Sequence, residues 1–171
     1  MRPKNGVLSS ISDRAFERLL PHLTPVTLKA GDILHPSDSA PKGVYFLDAG
    51  VAALSVSTAN GTELELSIVG NEGTVGGRAI FDYDFCIVKC AMLTDGHGHK
   101  IEPEEFKKEF KRNGSLHDLI INNLEARITE ASQTALCNQT HTVEQRLCRW
   151  ILTLADRTGS EELDITHGTI S

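Results

Sequence analysis

Leu54-Ser55-Val56-Ser57-Thr58-Ala59-Asn60-Gly61-Thr62-Glu63-Leu64-Glu65-Leu66-Ser67-Ile68 reads as two alternating runs on either side of an Asn-Gly step. Leu54, Val56 and Thr58 recur every second residue, as do Leu64, Leu66 and Ile68, so each run offers one apolar face. Asn60-Gly61 supplies the two positive-φ residues of a type I′ turn, and the whole stretch predicts a β-hairpin. Outward from it, short β-rich runs extend from Val26 to about Ile101. They are punctuated by Gly31-Asp32, Pro36-Ser37-Asp38, Gly50, Gly70, Gly73 and Asp95-Gly96. Turn signals at such short intervals predict an all-β sandwich or barrel for this part of the chain.

Helical signals flank it. Ser12 is an N-cap candidate with Asp13 in the first turn, Ile11 stapling onto Phe16, an apolar face of Phe16, Leu19 and Leu20, and Pro21 at the end. After the β region, Pro103 begins a helix with Glu104 and Glu105 first and Lys107, Lys108, Lys111 and Arg112 last, an order that suits the helix dipole; Gly114 closes it. Ser115 is placed to cap the next, which runs to about Asn138. Its residues Ile121, Leu124, Ile128, Ala131 and Ala135 repeat at spacings of three and four, the seam of a helix that pairs with a second copy. Leu116, Leu119 and Ile120 are expected to pack on the β domain instead. Thr142 with Gln145 forms a capping box for a third helix, whose stripe is Val143, Leu147, Trp150, Ile151 and Leu154 and whose end is Gly159. Leu163-Asp164-Ile165 reads as a short strand and Thr166 as a further cap; with Ser171 last, truncation of a further domain is expected.

The bulk properties narrow the function classes. The 171 residues carry a net charge of −6, which argues against a chain that wraps nucleic acid by itself. No stretch approaches the roughly 18 apolar residues of a membrane span, and no apolar run follows Met1-Arg2-Pro3-Lys4-Asn5-Gly6, so a cytoplasmic protein is expected. Cys86, Cys90, Cys137 and Cys148 include no Cys-x-x-Cys pair, and reduced, structural thiols are the expectation. No Gly-x-Ser-x-Gly elbow and no phosphate-binding Gly-x-x-x-x-Gly-Lys motif occurs, so the chain is not expected to be an enzyme.

Several stretches resemble the Crp/Fnr family of bacterial transcription regulators. They are Leu28-Lys29-Ala30-Gly31-Asp32-Ile33-Leu34, Val44-Tyr45-Phe46-Leu47-Asp48-Ala49-Gly50-Val51 and Val69-Gly70-Asn71-Glu72-Gly73-Thr74-Val75-Gly76. The most specific stretch is Gln133 to Leu152, centred on Asn138-Gln139-Thr140-His141-Thr142-Val143-Glu144-Gln145-Arg146, which resembles the hinge and first DNA-domain helix of a subgroup. The resemblance implies an α+β fold. It comprises a cyclic-nucleotide-binding-like β jelly roll over 1–114, a dimerisation helix over 115–139 and an incomplete winged helix-turn-helix over 140–171. It also implies a homodimer that senses a small-molecule effector and meets DNA only through the C-terminal domain of the complete regulator, with no membrane partner.

The resemblance also places an effector cassette at Gly76, Gly77, Arg78, Ala79, Lys89 and Cys90. The family's cyclic-nucleotide binders use a glutamate for the ribose hydroxyls and an arginine for the phosphate. Here Gly77 stands at the glutamate position, Ala79 at a usual glycine, Lys89 at the arginine and Cys90 at a hydroxyl residue. Lysine keeps the charge and loses the bidentate fork, and Gly77 offers no acceptor. The usual cyclic nucleotide contacts are therefore largely missing and no cofactor is expected. Arg78 reads either as a displaced phosphate contact or as a solvated arginine. The alternative function for a jelly roll is a cupin-like metal enzyme using His97, His99 and Glu102. Against it stands the lack of a second histidine motif to supply the remaining ligand.

Overall fold

Asn5 opens the first helix of the computed structural model, which describes residues 2–81, 85–160 and 162–163. Its side-chain oxygen accepts from the Val7 and Leu8 N–H groups and so caps α1 (Gly6–Ser10), a helix the sequence reading does not anticipate. The anticipated one is α2 (Asp13–Leu19), capped by Ser12 through the Ala15 N–H. Pro21 does not end it abruptly. Leu20–His22 continue as a 3₁₀ turn, where a missing N–H at the first positions loses no hydrogen bond.

The β region forms seven strands among the described residues. They are β1 (Thr24–Leu28), β2 (Ile33–His35), β3 (Val44–Ala49), β4 (Ala52–Ser57), β5 (Glu63–Val69), β6 (Lys89–Met92) and β7 (Gly96–Ile101). They make two antiparallel sheets, ordered β1-β7-β3 and β2-β6-β4-β5. Leu28, Leu34, Leu47, Ala52, Val69, Val75, Cys90 and Met92 fill the space between them. The expected sandwich is present.

The β4–β5 hairpin is present too, but its turn differs from the expected one. Thr58 N–H donates to Thr62 O at 2.9 Å and Gly61 N–H to Thr58 O at 3.0 Å. Gly61 has φ +87°, whereas Asn60 is not in the positive-φ region. The loop is therefore three residues long, a turn followed by one left-handed glycine, and not the two-residue type I′. The Asn60 side chain is engaged locally, accepting from the Thr58 hydroxyl. A second departure lies further along. Leu54 pairs with Ser67 while Ser55 pairs with Glu65, so Leu66 is an extra, bulged residue. Beyond the bulge Ser67, Ile68 and Val69 are all buried, and the strict alternation is lost.

Helices close the other side. α3 (Pro103–Phe110) begins as expected at Pro103 but ends at Phe110, and the left-handed residue that follows it is Asn113, at φ +52°, and not Gly114. Gly114, and not Ser115, is the N-cap of α4 (Ser115–Thr140). The Ser115 hydroxyl instead accepts from the Ser12 N–H at 2.9 Å and ties α4 to α2. Phe106, Leu116 and Ile120 are fully buried with Phe46 and the residues of α1 and α2, and Leu119 packs beside them as expected. α5 (Val143–Thr158) has the expected capping box at Thr142 and Gln145 and ends at Gly159 in the left-handed region. Its stripe is only partly covered. Leu154 is buried against Val51 and Ile68 with Trp150 alongside, but Val143 is 65% exposed. The strand expected at Leu163-Asp164-Ile165 and the cap at Thr166 lie largely outside the described residues. Among the described residues no helix is long and apolar enough to cross a membrane.

Candidate ligand cavity and helix seam

Among the described residues, two cavities border the long helix. The larger, about 520 Å³, lies between β5, α4 and α5 and contains none of the cassette residues. The smaller, about 390 Å³, is lined by Gly76, Gly77, Arg78 and Cys90 from the cassette. It is the candidate site because it gathers the predicted residues.

The turn after β5 builds one wall. Val75 exchanges hydrogen bonds with Tyr45, its N–H donating at 3.0 Å and its carbonyl accepting at 2.8 Å. Gly76 then turns the chain at φ +80°, and a Cβ there would lie 2.4 Å from the Gly43 carbonyl oxygen. A larger residue at that position would be both strained and clashing. Gly77–Ile80 follow as a 3₁₀ turn that buries Ala79 and Ile80 in the helical core while Arg78 stays exposed at the cavity. Ala79 thus belongs to the core and not to the cavity wall.

β6 and β2 make the opposite wall. Cys90 and Cys86 both line the cavity, as does His35, which pairs with Cys90 across the sheet. Lys89 does not. One residue along a strand reverses the side chain, and its Nζ lies on the outside, 3.1 Å from both carboxylate oxygens of Glu63. The expected cation at the arginine position is therefore corrected: Lys89 makes a surface ion pair. Burial pushes the Cys90 thiol up to about 12, so it sits here as a neutral, mainly apolar wall. Burial, and then the charge of Arg78, holds His35 below the ordinary histidine range. His35 is buried, and neither ring nitrogen has a hydrogen-bond partner among the described residues.

α4 closes the cavity with Asn123, Leu124, Arg127, Ile128 and Ala131. Asn123 fixes the helix to the turn, its Oδ1 accepting from Thr74 N–H at 3.3 Å and its Nδ2 donating to Glu72 O at 3.3 Å. Arg127 Nη1 donates to Ile68 O at 2.7 Å and lies 3.0 Å from Glu130 Oε2. His35, Asn123 and Arg127 were not among the sequence candidates. The polar pair Asn123 and Arg127 at a spacing of four, beside an apolar seam, is the signal that marks them.

The seam residues divide. Ile121 is 42% and Ile128 68% exposed, Ala135 is exposed, and Leu124 and Ala131 are half-buried at the cavity. The histidine pair of the metal alternative lies within β7. His99 Nδ1 approaches Asp48 Oδ2 at 3.1 Å, off the angle of a hydrogen bond. Glu102 pairs with Lys100 at 3.1 Å, and His97 is exposed. No group of three metal-ligating side chains converges among the described residues. The cupin-like reading therefore has no support.

A sandwich with a left-handed glycine turn facing a long helix across a cavity defines a class of β-roll domain, and the sequence agrees with it. The chain belongs to the cyclic nucleotide-binding domain family, whose model matches residues 25–113. Its fold is similar to that of a transcriptional regulator of the Crp/Fnr family from Eubacterium rectale, with TM-score 0.75 and 17% identity over 95% of this chain and 76% of that one. It is also similar to the c-di-GMP responsive global regulator CLP of Xanthomonas campestris, with TM-score 0.70 and 19% identity over 90% and 77% of the two chains. The catabolite activator protein of Thermus thermophilus has TM-score 0.61 and 14% identity, over 96% of this chain and 83% of that one. A comparison with curated proteins finds no match.

Proposed function

We propose that this chain is the sensor and dimerisation portion of a cytoplasmic, non-catalytic transcription regulator of the Crp/Fnr type. The observation that carries the reading is the double use of α4. Leu124, Ile128 and Ala131 line the ligand cavity and belong to the same apolar repeat as the exposed Ile121 and Ala135. A ligand in the cavity and a second copy on the seam would then touch the same turns of one helix, and each would bias the other. DNA contact belongs to the remainder of the regulator. The arginines of α5 support this: Arg146 donates to Asn138, Arg149 to Thr134, and Arg157 to Glu72 and Glu130. Cations engaged inside the chain are poor ligands for phosphates.

Sedimentation equilibrium tests the reading. The chain is expected to be a dimer at micromolar concentration and the Ile128→Glu variant a monomer with an unchanged circular dichroism spectrum. A wild-type monomer would sink it.

A further inference from the structure

The cavity under α4 presents two kinds of surface to a ligand. Most of its wall is apolar, with Pro41, Leu54, Leu66, Phe81, Val88 and Ile128 contributing. No aspartate or glutamate lines it among the described residues. A cyclic nucleotide needs an acceptor for its ribose hydroxyls, and this wall supplies no carboxylate for them. The polar groups that do line it are two arginines, one histidine and neutral hydroxyl and amide side chains.

Their partners separate them. Arg127 is already neutralised by Glu130 at 3.0 Å and Glu72 at 3.4 Å, and it donates to Ile68 O. The Arg78 guanidinium has no hydrogen-bond or ion-pair partner among the described residues. His35 is 6% exposed with both ring nitrogens unpaired, and Arg78 is near enough to act on it electrostatically. A buried polar group without a partner, as the His35 ring is, is costly and points to something that satisfies it, and the exposed Arg78 beside it supplies an uncompensated positive charge. A purely apolar ligand would leave both groups as they are. An anion joined to an apolar body would use both.

We infer that the cavity takes an apolar organic acid, an alkyl or aryl carboxylate. Its carboxylate accepts from Arg78 and from one ring N–H of His35, and its hydrocarbon body lies against Leu54, Leu66, Val88 and Ile128. The volume of about 390 Å³ is towards the small end of ligand sites, which span roughly 300–1,000 Å³. The inference rests on the cavity being the effector site proposed above and names its chemistry.

Calorimetric titration of the whole chain tests it, with octanoate and 4-phenylbutyrate as probes and 1-octanol and cyclic AMP beside them. At least one carboxylate is expected to bind saturably at one site per chain. Octanol and cyclic AMP are each expected to bind about tenfold more weakly or worse, since a hydrogen bond to a charged group is at stake. Arg78→Gln, at an exposed position that the fold tolerates, and His35→Phe are each expected to weaken carboxylate binding by about tenfold. Octanol binding as tightly as octanoate, or Arg78→Gln leaving octanoate affinity unchanged, would overturn the inference. So would tighter binding of cyclic AMP, or no saturable carboxylate binding up to millimolar concentration. Dimerisation is measured without ligand, so the failure of this inference and the failure of the dimer reading are seen separately.

Discussion

Asn5 is fully buried, and every polar atom of its side chain is used. Its oxygen caps α1, and its Nδ2 faces the carbonyls of Leu47 at 3.1 Å, Asn71 at 3.1 Å and Gly73 at 2.9 Å. Its own N–H donates to Asp48 Oδ1 at 2.8 Å. One side chain thus joins the N-terminus, β3 and the turn that leads to the cavity. Asn5→Ala removes the cap and strands buried carbonyls, and it is expected to cost about 2–4 kcal/mol in urea unfolding. Asn5→Asp keeps the shape and the cap but turns an oxygen towards those carbonyls. It is expected to be at least as destabilising. A neutral Asn5→Asp would mean that the three carbonyl contacts contribute nothing.

Among the elements, α5 is held by contacts of mixed character, and one of them titrates. Trp150 Nε1 donates to Glu65 Oε1 at 2.8 Å across the α5–β5 boundary. Burial raises the Glu65 carboxyl above the ordinary glutamate range, against the lowering effects of Trp150 and Arg149. The docked state therefore favours the protonated acid. Its contribution is fully present below the ordinary glutamate range and is lost as pH rises through the raised value. Trp150 is the sole tryptophan of the chain, so its emission reports docking directly. A shift of the emission to longer wavelength with rising pH is expected in the wild type and a flat profile in Glu65→Gln; identical profiles would exclude Glu65 as the source. The same element shows how far the sequence could be read. The capping box at Thr142 and Gln145 and the stop at Gly159 are local chemistry and were legible, as were the β4–β5 hairpin, the sandwich class and the burial of Leu116 and Ile120. The exposure of Val143 was not, because periodicity marks a face without saying how much of it is covered. The turn at Asn60-Gly61 and the side of Lys89 failed similarly, since loop length and strand register depend on pairing with a neighbour. In the cavity, Gly76, Gly77, Arg78 and Cys90 are residues to which the family resemblance points, whereas His35 and Arg127 come from segments distant in sequence.

Across the whole molecule, the cavity and α5 meet at one cluster of charges. Arg127 lines the cavity and faces Glu72 and Glu130; Arg157 of α5 bonds the same two carboxylates. Glu72 follows β5, so sheet, long helix and last helix all contribute. Two cations shared by two anions balance one another, and removing one leaves the rest unbalanced in a half-buried place. Arg157→Ala takes away the anchor near the end of α5 but leaves Arg127 with both carboxylates. The helix retains Leu154 and Trp150 as contacts, so it is expected to loosen as a unit and not to unfold the chain. Hydrogen exchange in 143–158 is expected to quicken about tenfold or more, corresponding to the loss of a partly buried charged hydrogen bond. Exchange in β4 and β6 and the sedimenting mass are expected to stay unchanged, because neither the β4–β6 pairing nor the seam of α4 depends on Arg157. Uniform acceleration over the whole chain would show that α5 and the β sandwich unfold together, and no acceleration would show that Leu154 and Trp150 hold the helix alone.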